Sequence, residues 1–227
     1  MKIVELEKSS VRELNSALHE QTKECTEREW EVVGAKGDHN LVVGLDQQLS
    51  VHIKGHAGYF CAGMNKKANV VVHGNVGPGV AENMMSGSVR VTGDASQSAG
   101  ATAHGGLLLI DGNAGARCGI SLKGADIVVK GSVGHMSCFM AQAGNLVVCG
   151  DAGDALGDSL YETVIYVKGS VKSLGADCIE KPMRAQHRTK LADLLNRAGI
   201  DENPENFKRY GSGRELYNFK VDKAAAY

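Results

Sequence analysis

Proline is nearly missing, with 3 residues in a chain of 227. Aromatic side chains make up only 5%, including a single tryptophan. Neither sign of charge dominates, and the net charge is -1. This balance leaves no basic footprint for nucleic acid. No apolar run approaches the roughly 18 residues of a membrane-spanning helix, so no membrane is expected. The first ten residues, MKIVELEKSS, lack the apolar centre of a secretory signal. The chain is therefore expected to be cytoplasmic, with reduced cysteines. None of the 6 cysteines stands in a C-x-x-C pair. One residue is abundant instead, with 29 glycines. Much glycine with little proline and few aromatics fits a solenoid with tight corners better than a disordered chain.

The glycines mark a repeat. Gly55, Gly74, Gly93, Gly112, Gly131, Gly150 and Gly169 follow one another at steps of 19 residues. A fixed period of this length is the signature of a solenoid. Four and two places before each glycine stand Val51/Ile53, Val70/Val72, Val89/Val91, Leu108/Ile110, Ile127/Val129, Leu146/Val148 and Ile165/Val167. All are aliphatic, and alternation on a period of two puts them on one face of a short strand. After Gly55 comes His56, and after each later glycine a small polar residue, as in Asn75-Val76, Asp94-Ala95 and Ser132-Val133. Glycine there suits a turn that a β-branched residue would strain. Small residues recur six and seven places past the glycine, as at Cys61/Ala62, Ala99/Gly100 and Cys118/Gly119, and let coils turn sharply. A lone 19-residue unit lacks a core, but stacked units share one. The expected fold is all-β, a single-stranded right-handed parallel β-helix of about seven turns with helical additions at both ends, its coils ~4.8 Å apart.

The predicted organisation has three parts. Residues 1–47 form an N-terminal helix and an irregular first coil, 48–176 the repeats, and 177–227 a C-terminal helix and tail. A short strand is expected within 1–8, and a capping box at Ser10 opens a helix to about Gln21. Val32-Val33 and 41–43 read as strands about a turn at Gly37-Asp38, with the helix and Trp30 capping the solenoid end. A second helix is expected over 184–198, with Leu191, Leu194, Leu195 and Ala198 on one face and Gly199 as its stop. A last short strand is expected over 215–219.

Three places before each anchor glycine the side chain should point outward. Those positions hold His52, Val71, Arg90, Leu109, Val128, Val147 and Tyr166. Val71, Leu109, Val128, Val147 and Tyr166 form an apolar stripe that water should not touch, and thus a candidate interface. Either a terminal helix of the same chain lies along it or another subunit does.

No catalytic constellation stands out. Cys61 and Cys118 share a repeat slot three turns apart, too far to hold one metal; Cys118 and Cys138 lie on adjacent turns. Buried thiols in small-residue corners account for them. His52, His56, His73, His104 and His135 form no ligand pair at helical or strand spacing. The run Gly150-Asp151-Ala152-Gly153 resembles a phosphate loop, but no helix follows to supply aligned N–H groups. No catalytic, cofactor-binding or metal residue is therefore assigned to this chain.

The repeat carries Gly112-x-x-Gly115, Gly131-x-x-Gly134 and Gly150-x-x-Gly153-x-x-x-Gly157. Over residues 31–176 it resembles the GXGXG domain, the C-terminal β-helix of the glutamate synthase large subunit, also found in a formylmethanofuran dehydrogenase subunit. Longer phrases sharpen the resemblance. They are GYFCAGMNK at 58–66, GPGVAENMMSG at 77–87, RCGIS at 117–121, GHMS at 134–137, GDALGDS at 153–159 and RYGS at 209–212. They are similar to the free-standing form of the domain, best known as the middle subunit of N-methylglutamate synthase. The resemblance implies a non-catalytic scaffold between a glutamine-amidotransferase-like subunit and an FMN-binding glutamate-synthase-like subunit, the latter also holding an iron–sulfur cluster. The implied reaction of the complex makes N-methylglutamate and ammonia from methylamine and glutamate. Ordinary glutamate synthase and formylmethanofuran-dehydrogenase-like complexes are the alternatives. A β-helix acyltransferase would need a catalytic His on a lengthened loop, and the 19-residue step never lengthens.

Overall fold

The structure, a computed structural model, describes residues 1–21 and 27–215. Its strands are β1 (Lys2–Glu5), β2 (Glu29–Asp38), β3 (Ser50–Ala57), β4 (Asn69–His73), β5 (Ser88–Val91) and β6 (Leu107–Ile110). They continue with β7 (Lys123–Val129), β8 (Ala143–Val148), β9 (Val164–Val167), β10 (Cys178–Lys181) and β11 (Lys208–Ser212). Helix α1 spans Val11–His19 and α2 spans Ala185–Ala198. All the strands join one sheet, ordered β1-β2-β3-β4-β5-β6-β7-β8-β9-β11-β10. From β1 to β9 every pairing is parallel.

The register is the sequence period made physical. Val51 pairs with Val70, Val70 with Val89, Val89 with Leu108, Leu108 with Ile127, Ile127 with Leu146 and Leu146 with Ile165. These residues and their partners two places on are buried in one continuous core. A one-residue slip would expose the whole aliphatic column, so burial holds the register. The residue two places past each anchor glycine forms a second parallel ladder, from Ala57 through Val76, Ala95, Ala114, Val133 and Ala152 to Val171.

The anchor glycines serve this stacking in a way that differs from the sequence expectation. Gly74 through Gly169 do not adopt a left-handed conformation; among the seven, only Gly55 does, at φ 127. What they provide is space. A Cβ at Gly74 would lie 2.5 Å from Gly55 O, and one at Gly150 would lie 2.6 Å from Ser132 Oγ and 2.7 Å from Gly131 O. The polar residue after each glycine fills that space with a ladder of its own. Asn75 N–H donates to His56 Nδ1, Asp94 N–H to Asn75 Oδ1, and Asn113 N–H to Asp94 Oδ1. The ladder runs on through Ser132, Asp151 and Ser170, at donor–acceptor distances of 2.7–3.0 Å. Each link supplies the acceptor that a backbone N–H at the tight corner would otherwise lack.

At the N-terminal end α1 packs on the first coil, and one expected element is absent. Ser10 and Glu13 form the capping box, and Leu14 and Leu18 bury against the first coil. Asn15 Nδ2 donates to Asn40 O while Asn15 Oδ1 accepts from Val42 N–H, and His19 Nε2 meets Val43 O at 2.9 Å. These side chains satisfy edge groups that a preceding coil would have satisfied. Trp30 is buried in β2, between Lys2 and Val51. The expected hairpin at 41–43 is not there. Strand β2 runs on through Gly34 and Gly37, both at positive φ, with irregular register on either side. Leu41 and Val42 turn inward at a corner instead.

At the other end, α2 ends on Gly199 in the left-handed conformation, with Leu191, Leu194, Leu195 and Ala198 buried. The chain then returns through a 3-10 turn at Pro204–Asn206. β11 next pairs antiparallel with β9, and β10 with β11, covering the last parallel edge. This strand is the RYGS phrase; the strand expected over 215–219 lies outside the described residues from 216 on.

Candidate interaction surface

Each coil has one corner with an unusual backbone. Residues 60, 62 and 64 take positive φ, as do their equivalents on the coils between Asn40 and Ser159. The set runs Asn40/Val42/Gly44, Phe60/Ala62/Met64, Gly79/Ala81/Asn83, Ser98/Gly100/Thr102, Arg117/Gly119/Ser121, Met136/Cys138/Met140 and Ala155/Gly157/Ser159. A non-glycine residue in this region costs roughly 1–3 kcal/mol and persists only where its surroundings over-determine it. Here hydrogen bonds do so. Phe60 N–H donates forward to Pro78 O (2.9 Å), Ala62 N–H back to Leu41 O (2.9 Å), and Met64 N–H forward to Glu82 O (2.7 Å). Ser98, Gly100 and Thr102 repeat the scheme through Ala116, Val80 and Ile120. Alternate N–H groups therefore clip each coil to the one above and the one below.

The middle position of each triplet faces the core and, after Val42 in the first coil, stays small as Ala, Gly or Cys. The outer two form columns on the surface. One column is Phe60, Gly79, Ser98, Arg117, Met136 and Ala155; the other is Met64, Asn83, Thr102, Ser121, Met140 and Ser159. Tyr59, Phe60, Met64, Met85 and Met140 are exposed, with Met64 the most at 54%. Tyr59 packs its ring on His39 at 4.6 Å, with Phe60 beside it. Exposed methionine and aromatic side chains on a rigid backbone are what a docking surface needs. Five of the six phrases carrying the family resemblance cross this corner, at 58–66, 77–87, 117–121, 134–137 and 153–159.

The apolar stripe on the strand side behaves differently along its length. Leu109, Val128, Val147 and Tyr166 are buried in a cluster with Leu191, Leu194, Leu195 and Ala198 of α2 and with Phe207. Burial pushes the Tyr166 hydroxyl up to about 12. Asp126, almost buried, holds the helix in place by accepting from Arg197 Nη1 at 3.0 Å and Lys190 Nζ at 3.2 Å. Its other oxygen takes Asn145 Nδ2. Sequence reasoning missed Asp126, because its partners lie more than sixty residues away. Val71 is half-buried and lies outside that cluster, beside exposed Arg90.

The cysteines and histidines are placed by packing. Cys61, Cys118, Cys138 and Cys178 are buried free thiols. Burial raises Cys61, Cys118 and Cys178 to about 12, far from a reactive thiolate. Cys138 is raised too, by burial and then by its neighbours Cys118 and Cys178; on the adjacent turn its N–H donates to Cys118 O at 2.8 Å. Half-buried Cys149 is raised to about 11. Cys25 lies outside the described residues. His52 and His73 stack, with Nδ1 and Nε2 3.1 Å apart, and burial followed by Lys54 lowers the His73 pKa. His56 is the first acceptor of the polar ladder, and His104 and His135 are exposed. Residues 150–157 make an ordinary corner, in which Ala152 bridges Val133 and Val171. No group of three metal-ligating side chains occurs among the described residues. None of their helices is long and apolar enough to cross a membrane.

No protein-family model matches the chain. No solved structure matches it. Protein GlxC of Rhizobium meliloti (strain 1021) is 58% identical over 228 residues, a span covering 100% of this chain and 100% of that protein. With that identity along its whole length, the chain belongs to the family of protein GlxC.

Proposed function

We propose that this chain is a scaffold subunit of a glutamate-synthase-like enzyme. In this reading it holds an amidotransferase-like subunit and an FMN-binding synthase subunit in register, with the FMN and an iron–sulfur cluster in the synthase partner. N-methylglutamate synthase is the leading case. The observation that carries the reading is the convergence of the resemblance phrases on the corner with positive φ, where exposed Phe60, Met64 and Met140 collect. A parallel β-helix suits the task. Its coils are locked by the strand ladders, the polar ladder and the corner hydrogen bonds, so two partners bound along it keep a fixed separation. Its thiols are buried and its polar ladder is spent on its own backbone, which leaves chemistry to the partners.

The test is co-expression with an amidotransferase-like and an FMN-binding glutamate-synthase-like subunit from the same organism. The three chains are expected to purify together, and the flavin chain alone to lose glutamine-dependent turnover. Met64→Glu together with Phe60→Glu should release a partner while the circular dichroism spectrum stays unchanged. Methylamine-dependent formation of N-methylglutamate by the complex separates this case from ordinary glutamate synthesis. Turnover of glutamate or glutamine by the isolated chain would sink the scaffold reading.

A further inference from the structure

At the C-terminal cap lies a cleft of about 570 Å³, outside both the corner columns and the face covered by α2. Strands β10 and β11 and the first turn of α2 wall it, and Thr163, Lys181, Arg184, His187 and Arg209 line it. Arg209 is only 9% exposed. Its Nε donates to Pro182 O at 3.0 Å, which leaves the rest of the guanidinium fork unspent. The two carboxylates in the cleft wall are engaged elsewhere, Glu162 with Arg214 and Glu180 with Lys208. Among the described residues, no carboxylate lies within ion-pair distance of Arg184 or Arg209. A nearly buried guanidinium without a counter-charge is costly, and a bound anion removes that cost.

Three further observations point the same way. Thr163 is 1% exposed and its Oγ1 has no hydrogen-bond partner. The first turn of α2 carries no acidic residue, and the N–H groups of Ala185 and Gln186 have no intrahelical acceptor, while His187 N–H donates to Arg184 O at 3.0 Å. Burial lowers the pKa of His187, followed by the nearby charges of Arg209 and Arg184, and its Nδ1 accepts from Arg184 N–H at 3.2 Å, which groups these side chains at one end of the cleft.

We propose that this cleft binds a small oxyanion, a carboxylate or phosphate group gripped by Arg184 and Arg209 at the N-terminus of α2. The guanidinium fork matches both groups, and the volume suits a small metabolite rather than a peptide.

The test uses the purified full chain, titrated calorimetrically with inorganic phosphate and, separately, with L-glutamate as the carboxylate probe. At least one probe is expected to bind, more weakly as salt rises. Arg184→Gln should weaken that binding by about tenfold. Arg117→Gln, on the remote corner, should leave it unchanged. Arg184 is exposed, so its replacement spares the fold; Arg209→Lys keeps the charge while removing the fork and should also bind less well. Whichever probe binds names the anion class. Binding of neither probe overturns the proposal, as does equal binding by Arg184→Gln and the unaltered chain, or an equal loss in Arg117→Gln.

Discussion

On the strand side of a coil, the positions four and two before each anchor glycine hold only Val, Ile and Leu. On the corner side, one slot holds Phe60, Gly79, Ser98, Arg117, Met136 and Ala155 in turn. Both columns repeat every 19 residues, and both are part of one rigid stack. The difference lies in what each column bonds with. Strand side chains meet one another in the core, so their chemistry is constrained and visible in the text. At the corner, backbone N–H groups make the links between coils, and the outer side chains are left over. A surface whose backbone is fixed while its side chains vary can be adapted to a partner without disturbing the fold.

The contrast can be broken most strongly in the strand column. Leu146→Ala should cost about 2–5 kcal/mol in urea unfolding, because the packed column above and below cannot collapse into the gap. Met140→Ala on the corner, a comparable truncation at an exposed site, should stay within about 0.5 kcal/mol. Equal losses at the two sites would remove the distinction.

Next comes the anchor glycine. Gly150→Ala puts a methyl against the backbone of Gly131 and against Ser132 Oγ, and should cost about 1–3 kcal/mol. Ser132→Gly in the same chain relieves only the side-chain part of the clash, so most of the loss should remain. Full recovery in the double variant would mean that the ladder side chain, rather than the close coil, demands glycine.

Corner conformation predicts an effect of opposite sign. Arg117 is exposed at φ 58. Relief of the left-handed cost, less the added freedom of glycine in the unfolded chain, leaves Arg117→Gly more stable by up to about 1 kcal/mol. Arg90→Gly, in strand β5, should be less stable, since it also loses the contact to Asp111. Loss of stability at both sites would mean that the corner carries no strain.

The smallest effect concerns pH. The Ser170 backbone N–H and hydroxyl hold the Asp151 carboxyl below its ordinary value. A lowered folded pKa contributes stability that is present above the unfolded value and disappears as pH falls through the folded one. The stability gap between the unaltered chain and Asp151→Ala should therefore be present at about pH 7 and shrink as pH falls below about 4. A gap that widens on acidification would contradict the hydrogen bonds drawn for this ladder.

The aliphatic columns, the helix face at Leu191, Leu194, Leu195 and Ala198 and the cap at Ser10 were legible because each is a local pattern with its own period. The corner was not. Val42, Phe60 and Arg117 are poor left-handed residues by intrinsic preference, and only hydrogen bonds from the neighbouring coils place them there. Residues 41–43 read as a strand for the same reason: Leu41 and Val42 are apolar, and nothing in the text says that they face inward at a corner. The polar ladder was visible as residues but not as bonds, since each acceptor serves a donor one coil away. Asp126, which anchors α2, and the paired open donors around Arg209 depend on contacts between distant segments.

The sequence by itself determined the coil: its length, its buried strand face, its small corners and its helical ends. Period and polarity alone fix these, because burying one face of a strand requires alternation and stacking requires a constant step. Tertiary structure decided the backbone state of the corner, the use of the glycines as space, and the fate of the apolar stripe. Those depend on which groups meet across coils, and α2 reaches only Leu109, Val128, Val147 and Tyr166 while Val71 stays outside its cover.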